Sequence, residues 1–219
     1  MSPFVESIRG EYLRYKALAE AAMDQLDEAQ LCVTGPSGGN SIAVICWHVA
    51  GNLRSRFTDF LPRDGEKPWR RREEEFAART VTRAELQAKW NEGWEALLGA
   101  LASLRDEQLQ QTVTIRGQPL RVHEALHRSL SHASYHVGQI VYLAKAIRGP
   151  AWRYLSIPPG GSDAYNQAPT KDKPSAHSAA LEQGRGARKR APCSRFRSRL
   201  RRPAPARRMA SGSLAGCTT

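Results

Sequence analysis

Cysteine is scarce in this sequence, and its spacing excludes the commonest roles of the residue. Four cysteines occur among 219 residues, at positions 32, 46, 193 and 217, with no C-x-x-C pair. A disulfide-rich secreted scaffold needs a denser set of cysteines, and a cysteine-based zinc site needs closer spacing. We therefore expect a reduced, cytoplasmic protein.

The sequence also lacks long hydrophobic runs. No stretch of 18 apolar residues occurs in it, although a membrane-spanning helix needs about 20. Glu6, Arg9 and Glu11 interrupt the N-terminal region, where an export signal would be apolar. These absences favour a protein that neither crosses a membrane nor is exported.

Acidic residues are nearly absent from the last quarter of the chain, which accounts for most of the net charge of +12. Of the 33 basic and 21 acidic residues, 13 and 2 fall in residues 168–219, which leaves 20 and 19 in residues 1–167. The near-neutral balance of the first part argues against a nucleic-acid-binding domain. The basic part has no apolar period, so we expect a domain at 1–167 and a disordered tail at 168–219. Nucleic acid is not an expected partner, except non-specifically through this tail.

Hydrophobic periodicity predicts four long helices in the first part of the chain. The first begins at Pro3, and the second covers residues 42–61. The third follows a capping box formed by Thr82 and Glu85. The fourth covers residues 122–147 and ends before a Gly-Pro stop signal.

A short β excursion interrupts this helical pattern. Residues 112–115 are rich in β-branched side chains and precede a turn at Arg116 and Gly117. Four long helices with one minor β element predict an all-α protein, a four-helix bundle. Such bundles build metal sites from side chains on facing helices.

Histidine spacing gives the strongest chemical signal in the sequence. The fourth predicted helix contains two His-x-x-x-His pairs, His123 with His127 and His132 with His136. Residues four apart share one helix face, so either pair could place two imidazoles on one metal ion. Both pairs flank the apolar stripe, so periodicity does not choose between them. For each pair, histidines satisfied by ordinary hydrogen bonds are the alternative.

Two segments resemble a known superfamily. The sequence HASYHVGQI at 132–140 resembles the H-x-x-x-H-x-G-Q signature in the last helix of the DinB/YfiT-like superfamily. The sequence WHVAGN at 47–52 resembles the segment that supplies the first metal histidine in that superfamily. Similarity at 54–61, 64–69 and 138–145 favours an uncharacterised branch, known as a domain of unknown function. The resemblance covers about residues 3–168 and none of the tail.

This resemblance implies an antiparallel four-helix bundle in which His48, His132 and His136 bind a divalent metal, most often zinc or nickel. Three neutral imidazoles leave a coordination position for water or a thiol. Characterised members include thiol-dependent transferases and an isomerase that use bacterial low-molecular-weight thiols, and others are described as hydrolases. The resemblance also implies a homodimer and a small-molecule substrate.

Two polar residues near His48 are candidates for binding a cofactor or substrate. Asn52 lies one helical turn after His48, where its amide could hold a ligand or face solvent. Arg56 belongs to a basic group suited to a carboxylate or an anionic thiol, although these arginines could instead pair with the glutamates at 73–75 on a solvated face. Cys46 lies about 200° from His48 around the helix and is not expected to be a ligand. The basic group comprises Arg54, Arg56, Arg70, Arg71 and Arg72.

The sequence therefore predicts a metal-dependent enzyme, a thiol-dependent S-transferase or a hydrolase that acts on a small molecule. No catalytic acid or base can be assigned from the residues. One alternative is a non-catalytic metal-binding module of a stress response. Another is a nucleic-acid binder that acts through the basic tail.

Overall fold

Helices dominate the structure. The computed structural model describes residues 3–189, which are mostly helical with one small antiparallel sheet. Within these residues, no helix combines the length and the apolar character that crossing a membrane requires. The helices are α1 (Pro3–Met23), α2 (Glu28–Leu31), α3 (Ile42–Phe57), α4 (Arg83–Ser103), α5 (Val122–Arg148), α6 (Ser162–Gln167) and α7 (Pro174–Lys189), and the strands are β1 (Thr112–Ile115) and β2 (Gln118–Arg121).

Local signals fix where the long helices begin and end. At the start of α3, Ser41 Oγ accepts a hydrogen bond from the Val44 amide at 3.2 Å. At the start of α4, Thr82 and Glu85 form the predicted capping box. Helix α5 ends at Arg148, and the next residue, Gly149, has a φ of 58° that is accessible to glycine but strained for other residues. The predicted capping box and the predicted stop signal are therefore confirmed.

Helix α3 ends earlier than predicted. The apolar pattern predicted a helix to residue 61, whereas α3 ends at Phe57. Thr58 is extended, and Asp59 is left-handed with a φ of 47°. Phe60 and Leu61 continue the apolar pattern because they pack against the core from the following turn.

The four long helices share one apolar core. Helix α1 packs against α4 and α5, and α3 packs against the same two helices. Tyr12 on α1 donates a hydrogen bond to Leu126 O on α5 at 2.9 Å, and Trp90 Nε1 on α4 donates to Glu20 Oε1 on α1 at 3.2 Å. The largest fully buried side chains include Tyr12, Trp90, Trp94, Leu53, Leu97, Leu101, Leu126 and Ile140.

Helices α3 and α4 approach each other closely at two small residues. A Cβ on Gly93 of α4 would lie 2.5 Å from Ala50 Cα on α3, which is too close for non-bonded atoms. A Cβ on Gly99, also on α4, would meet no atom within 4 Å. The contact between the two helices therefore requires glycine at position 93 but not at position 99.

The segment after α3 folds back over that helix and joins the β hairpin. Asp64 accepts hydrogen bonds from the backbone amides of Arg116 and Gly117, each at 2.8 Å. On the other side, Ser55 Oγ of α3 donates to Gly65 O at 2.9 Å. The segment is thus hydrogen-bonded both to α3 and to the turn of the hairpin.

A helix occupies part of the segment that was predicted to be disordered. Helix α7 packs along α1. Leu181 is buried against alanines of α1, and Arg185 forms ion pairs with Glu20 and Asp24. The structure differs from the prediction here because α7 is held by its contacts with α1, and the sequence of the segment alone does not reveal that partner. Residues 190–219, the rest of the predicted basic tail, lie outside the described residues.

Substituting alanine for Gly93 should destabilise the protein, whereas the same change at Gly99 should not. The Gly93→Ala methyl would have to displace the α3 backbone, at a cost of about 1–3 kcal/mol. Gly99→Ala adds its methyl in open space and should raise the free energy of unfolding by about 0.5–1 kcal/mol. Urea unfolding measures both effects, and equal stabilities would contradict the close approach of α3 and α4.

Candidate metal centre

Three histidines from two helices converge between α3 and α5. His48 lies on α3, and His132 and His136 lie on α5. One ring nitrogen of each lies within 4.8 Å of the other two, and His48 Nε2 is 3.2 Å from His132 Nε2. Tetrahedral zinc–nitrogen bonds of about 2.0–2.1 Å place two ligand nitrogens about 3.3 Å apart. The cluster could therefore hold a metal ion.

The other histidine pair of α5 does not belong to this cluster. His123 Nδ1 lies 3.1 Å from Leu109 O and is satisfied by the backbone. The His127 ring packs edge-on against Phe4, with 5.6 Å between the ring centroids. Within residues 3–189, the only group of metal-compatible side chains of this kind is the one that includes His48. Periodicity alone did not choose between the two histidine pairs of α5. Tertiary packing brings His132 and His136, and not the other pair, next to His48.

A buried carboxylate fixes the orientation of His48. His48 Nδ1 donates a hydrogen bond to Glu75 Oε2 at 2.9 Å, and Glu75 is only 7% exposed. Because Nδ1 is engaged in this way, Nε2 is the nitrogen that faces His132. Carboxylates in this position orient metal-ligating histidines and raise their basicity. Glu75 therefore leaves Nε2 as the nitrogen of His48 that is available to a metal ion.

Arg70 stabilises the ionised form of Glu75. Its Nε and Nη2 atoms donate to Oε1 and Oε2 of Glu75 at 2.8 and 2.9 Å, and its side chain is only 2% exposed. Burial opposes ionisation, but the hydrogen bonds from His48 and Arg70 outweigh it and lower the pKa of Glu75. A buried charge is stable only with such partners.

Gly51 makes room for this carboxylate. A Cβ at Gly51 would lie 2.1 Å from Glu75 Oε1 and 2.7 Å from Glu75 Cδ. The carboxylate cannot move away without losing its hydrogen bonds to Arg70 and His48. The glycine in the sequence WHVAGN is therefore required by the geometry of the site.

Gln139 and burial prepare the two histidines of α5. His136 Nδ1 donates to Gln139 Oε1 at 2.8 Å, which leaves Nε2 as the free nitrogen of that ring. Burial lowers the pKa of His136. Burial, followed by the proximity of His136 and His48, lowers the pKa of His132 to about 3. Both rings are therefore neutral at physiological pH, which is the state that metal coordination requires.

Asn52 and Arg56 line a cavity that also reaches His132. Both residues, selected from the sequence as candidates for binding a cofactor or substrate, thus lie beside the histidine cluster. Cys46 lies elsewhere, fully buried with its sulfur 3.4 Å from Met23 Sδ. The prediction that Cys46 is not a ligand agrees with this position.

Sequence reasoning did not select Arg70 and Glu75 as a site pair. The neighbouring charges at 71–74 form exposed ion pairs, so the interpretation of this run as a solvated face is right for them. The remaining pair, Arg70 with Glu75, is buried, and its burial depends on how the loop folds over α3. The small residue at position 51 is the only local signal of that contact.

Comparison with known proteins identifies a family without a characterised function. The family model described as "Protein of unknown function (DUF1572)" matches residues 1–161. No curated protein and no solved structure matches the chain. The matched residues include the three clustered histidines, Arg70 and Glu75, but not α7.

Glu75→Gln should weaken metal binding about 10–100-fold, as the loss of such a histidine partner generally does. The amide nearly preserves the shape of the side chain but removes the charge that orients His48 and pairs with Arg70. Competition with a chromophoric zinc chelator measures the dissociation constant.

The matched control is Glu74→Gln, which alters an exposed neighbouring carboxylate. Gly51→Ala tests the same contact from the other side, because its methyl displaces the Glu75 carboxylate. It should weaken metal binding in the same direction, with circular dichroism confirming that the helices persist. If Glu75→Gln and Glu74→Gln bound zinc equally well, Glu75 would not orient His48.

Proposed function

The chain belongs to the DUF1572 family of proteins of unknown function, and we propose that it is a metal-dependent enzyme. The proposed metal is a divalent ion, zinc or nickel, held by His48, His132 and His136. The observation that carries this proposal is that ring nitrogens of all three lie within 4.8 Å of one another. Imidazole suits both metals.

We propose that the long helices form the antiparallel four-helix bundle of the DinB-like superfamily. In support, α1, α3, α4 and α5 enclose one core, and each contacts two of the others. The H-x-x-x-H-x-G-Q residues at 132–139 are similar to that superfamily's last helix. On this proposal, residues 1–167 form the metal-binding domain, and α7 packs against it.

The proposed reaction is a thiol-dependent S-transfer or a hydrolysis of a small molecule. A divalent ion held by three neutral imidazoles supplies a Lewis acid that lowers the pKa of a water or thiol at its open position. Glu75 and Gln139 bind the Nδ1 atoms of His48 and His136 and so restrict the rotation of both rings. This arrangement keeps the Nε2 atoms available for the ion.

The cavity that reaches His132 is the proposed position of the substrate or of a low-molecular-weight thiol. Asn52 and Arg56 are the proposed ligand contacts within it. Phe57 and Phe60 line the same cavity, and such apolar walls exclude water from bound reactants.

We also propose a cytoplasmic homodimer. Helix α5 exposes Tyr135 and Tyr142, at 64% and 69% of their surface, and Gly138 between them leaves open space. Aromatic side chains exposed along one helix face are typical of interaction surfaces.

The proposed compartment is the cytoplasm, because the scarcity of cysteine favours a reducing environment.

Metal content tests the site directly. The purified chain should retain about one zinc or nickel ion per molecule after dialysis, and His132→Ala or His136→Ala should remove most of it. His127→Ala changes an exposed histidine of the same helix and is the matched control. Atomic absorption measures the ion, and equal metal content in the His132→Ala and His127→Ala variants would contradict the three-histidine site.

Turnover separates an enzyme from a non-catalytic metal-binding module. The metal-loaded chain should accelerate the reaction of a low-molecular-weight thiol with an electrophilic fluorescent reporter, or the hydrolysis of a small ester or amide. His132→Ala should abolish the rate enhancement, whereas His127→Ala should leave it unchanged. Stoichiometric metal binding with no turnover of any thiol, ester or amide would favour the non-catalytic module.

A further inference from the structure

The cavity that reaches His132 combines apolar walls with a few polar groups. Its volume is about 300 Å³, at the lower end of the range for small-ligand sites. Phe57, Phe60, Ile115 and Ala125 supply its apolar lining. A ligand that fills this space must therefore present an apolar body to these side chains.

The ionised side chains that line this cavity are all positive. Arg56 and Arg128 line it, and no aspartate or glutamate of the described residues does so. The proposed divalent ion near His132 would add positive charge at the same place. Electrostatics therefore favours an anionic ligand over a neutral or cationic one.

Arg56 is already bound to protein partners. Its side chain is only 10% exposed, and its Nη1 atom donates to Glu66 Oε2 at 3.0 Å and to Gly65 O. Glu66 also accepts a hydrogen bond from Arg116 Nε of the hairpin at 3.0 Å. The Arg56 guanidinium thus holds the loop after α3 in place while its side chain also lines the cavity.

Arg128 and Asn52 are not engaged in this way. Among residues 3–189, neither side chain has a hydrogen-bond or ion-pair partner. Arg128 lies on α5 one turn before His132, and Asn52 lies on α3 one turn after His48. Two helices therefore each place an unpaired polar side chain on the cavity, one turn from a histidine of the cluster.

We propose that this cavity binds a small molecule with an apolar body and a carboxylate, and that Arg128 and Asn52 recognise the carboxylate. The inference rests on the proposed function, because the same cavity holds the substrate or thiol of the proposed reaction. A guanidinium donates two parallel hydrogen bonds to a carboxylate, and a side-chain amide donates one more. The apolar body packs against Phe57 and Phe60 and extends towards His132.

Titration of the full chain with 4-phenylbutyrate and with 4-phenylbutyramide tests the inference. The two probes have nearly the same shape and differ in charge. Protein-observed NMR should give a dissociation constant about tenfold lower for the carboxylate, with shifts of the Asn52 side-chain amide. Equal dissociation constants, shifts confined to residues outside the cavity, or no saturable binding of the carboxylate at millimolar concentrations would overturn the inference.

Arg128→Gln should abolish the preference for the carboxylate. The dissociation constant of 4-phenylbutyrate should rise about tenfold, while that of the amide stays unchanged. Arg128→Lys keeps the charge without the two-pronged geometry and should restore part of the preference. Arg148→Gln, at an exposed arginine near the far end of α5 that does not line the cavity, should change neither constant. An undiminished preference in Arg128→Gln would overturn the inference.

Titrating both the metal-free and the zinc-loaded chain separates this inference from the proposed function. If the chain binds no metal, the metal-free titration still decides whether the cavity selects carboxylates. If zinc binds and the preference is absent, the ligand class is wrong while the metal site stands. If the carboxylate binds only in the presence of zinc, and equally well in Arg128→Gln, it is a metal ligand and the role of Arg128 is refuted.

Discussion

Helix α3 is packed closely on two sides, and two glycines make both contacts possible. Gly93 allows α4 to approach Ala50, and Gly51 allows the Glu75 carboxylate to reach the helix that carries His48. A larger side chain at either glycine would shift α3 or its neighbour. Since α3 supplies one histidine of the cluster, the packing of the core also sets the position of that ligand. The stability of the fold and the geometry of the site therefore cannot vary independently.

Charges of alternating sign connect the histidine cluster to the hairpin. His48 donates a hydrogen bond to Glu75, which also accepts hydrogen bonds from Arg70. Arg70 Nη1 lies 3.6 Å from Glu66 Oε2, and Glu66 accepts a hydrogen bond from Arg116 at the turn of the hairpin. Removing one member of the buried part of this chain leaves a partner unsatisfied, which typically costs about 3–5 kcal/mol. The loop after α3 is held by this network as well as by apolar contacts. The network therefore links the turn of the hairpin to the carboxylate that orients His48.

Features encoded by local pattern were predictable from the sequence, and features that depend on distant contacts were not. The helix stop after residue 148 follows from glycine and proline chemistry, whereas α7 was missed because Leu181 is buried by residues of α1. Periodicity could not choose between the two histidine pairs, because the choice depends on a residue 84 positions away in the chain. Glu75 and Arg128 were not identified for the same reason. The local sequence around a charged residue does not show which distant side chains the fold places next to it.

Helix α7 supplies a counter-charge to a buried carboxylate of α1. Glu20 is only 6% exposed, and its carboxylate accepts hydrogen bonds from Lys16, Trp90 and Arg185. Lys16 and Trp90 lie within the residues that match the family model, whereas Arg185 lies beyond them. A residue outside the matched region thus pairs with a buried charge inside it. A chain shortened to the residues that match the family model would therefore lose one of the two cations, Lys16 and Arg185, that balance this buried charge, and a buried charge is stable only with such partners.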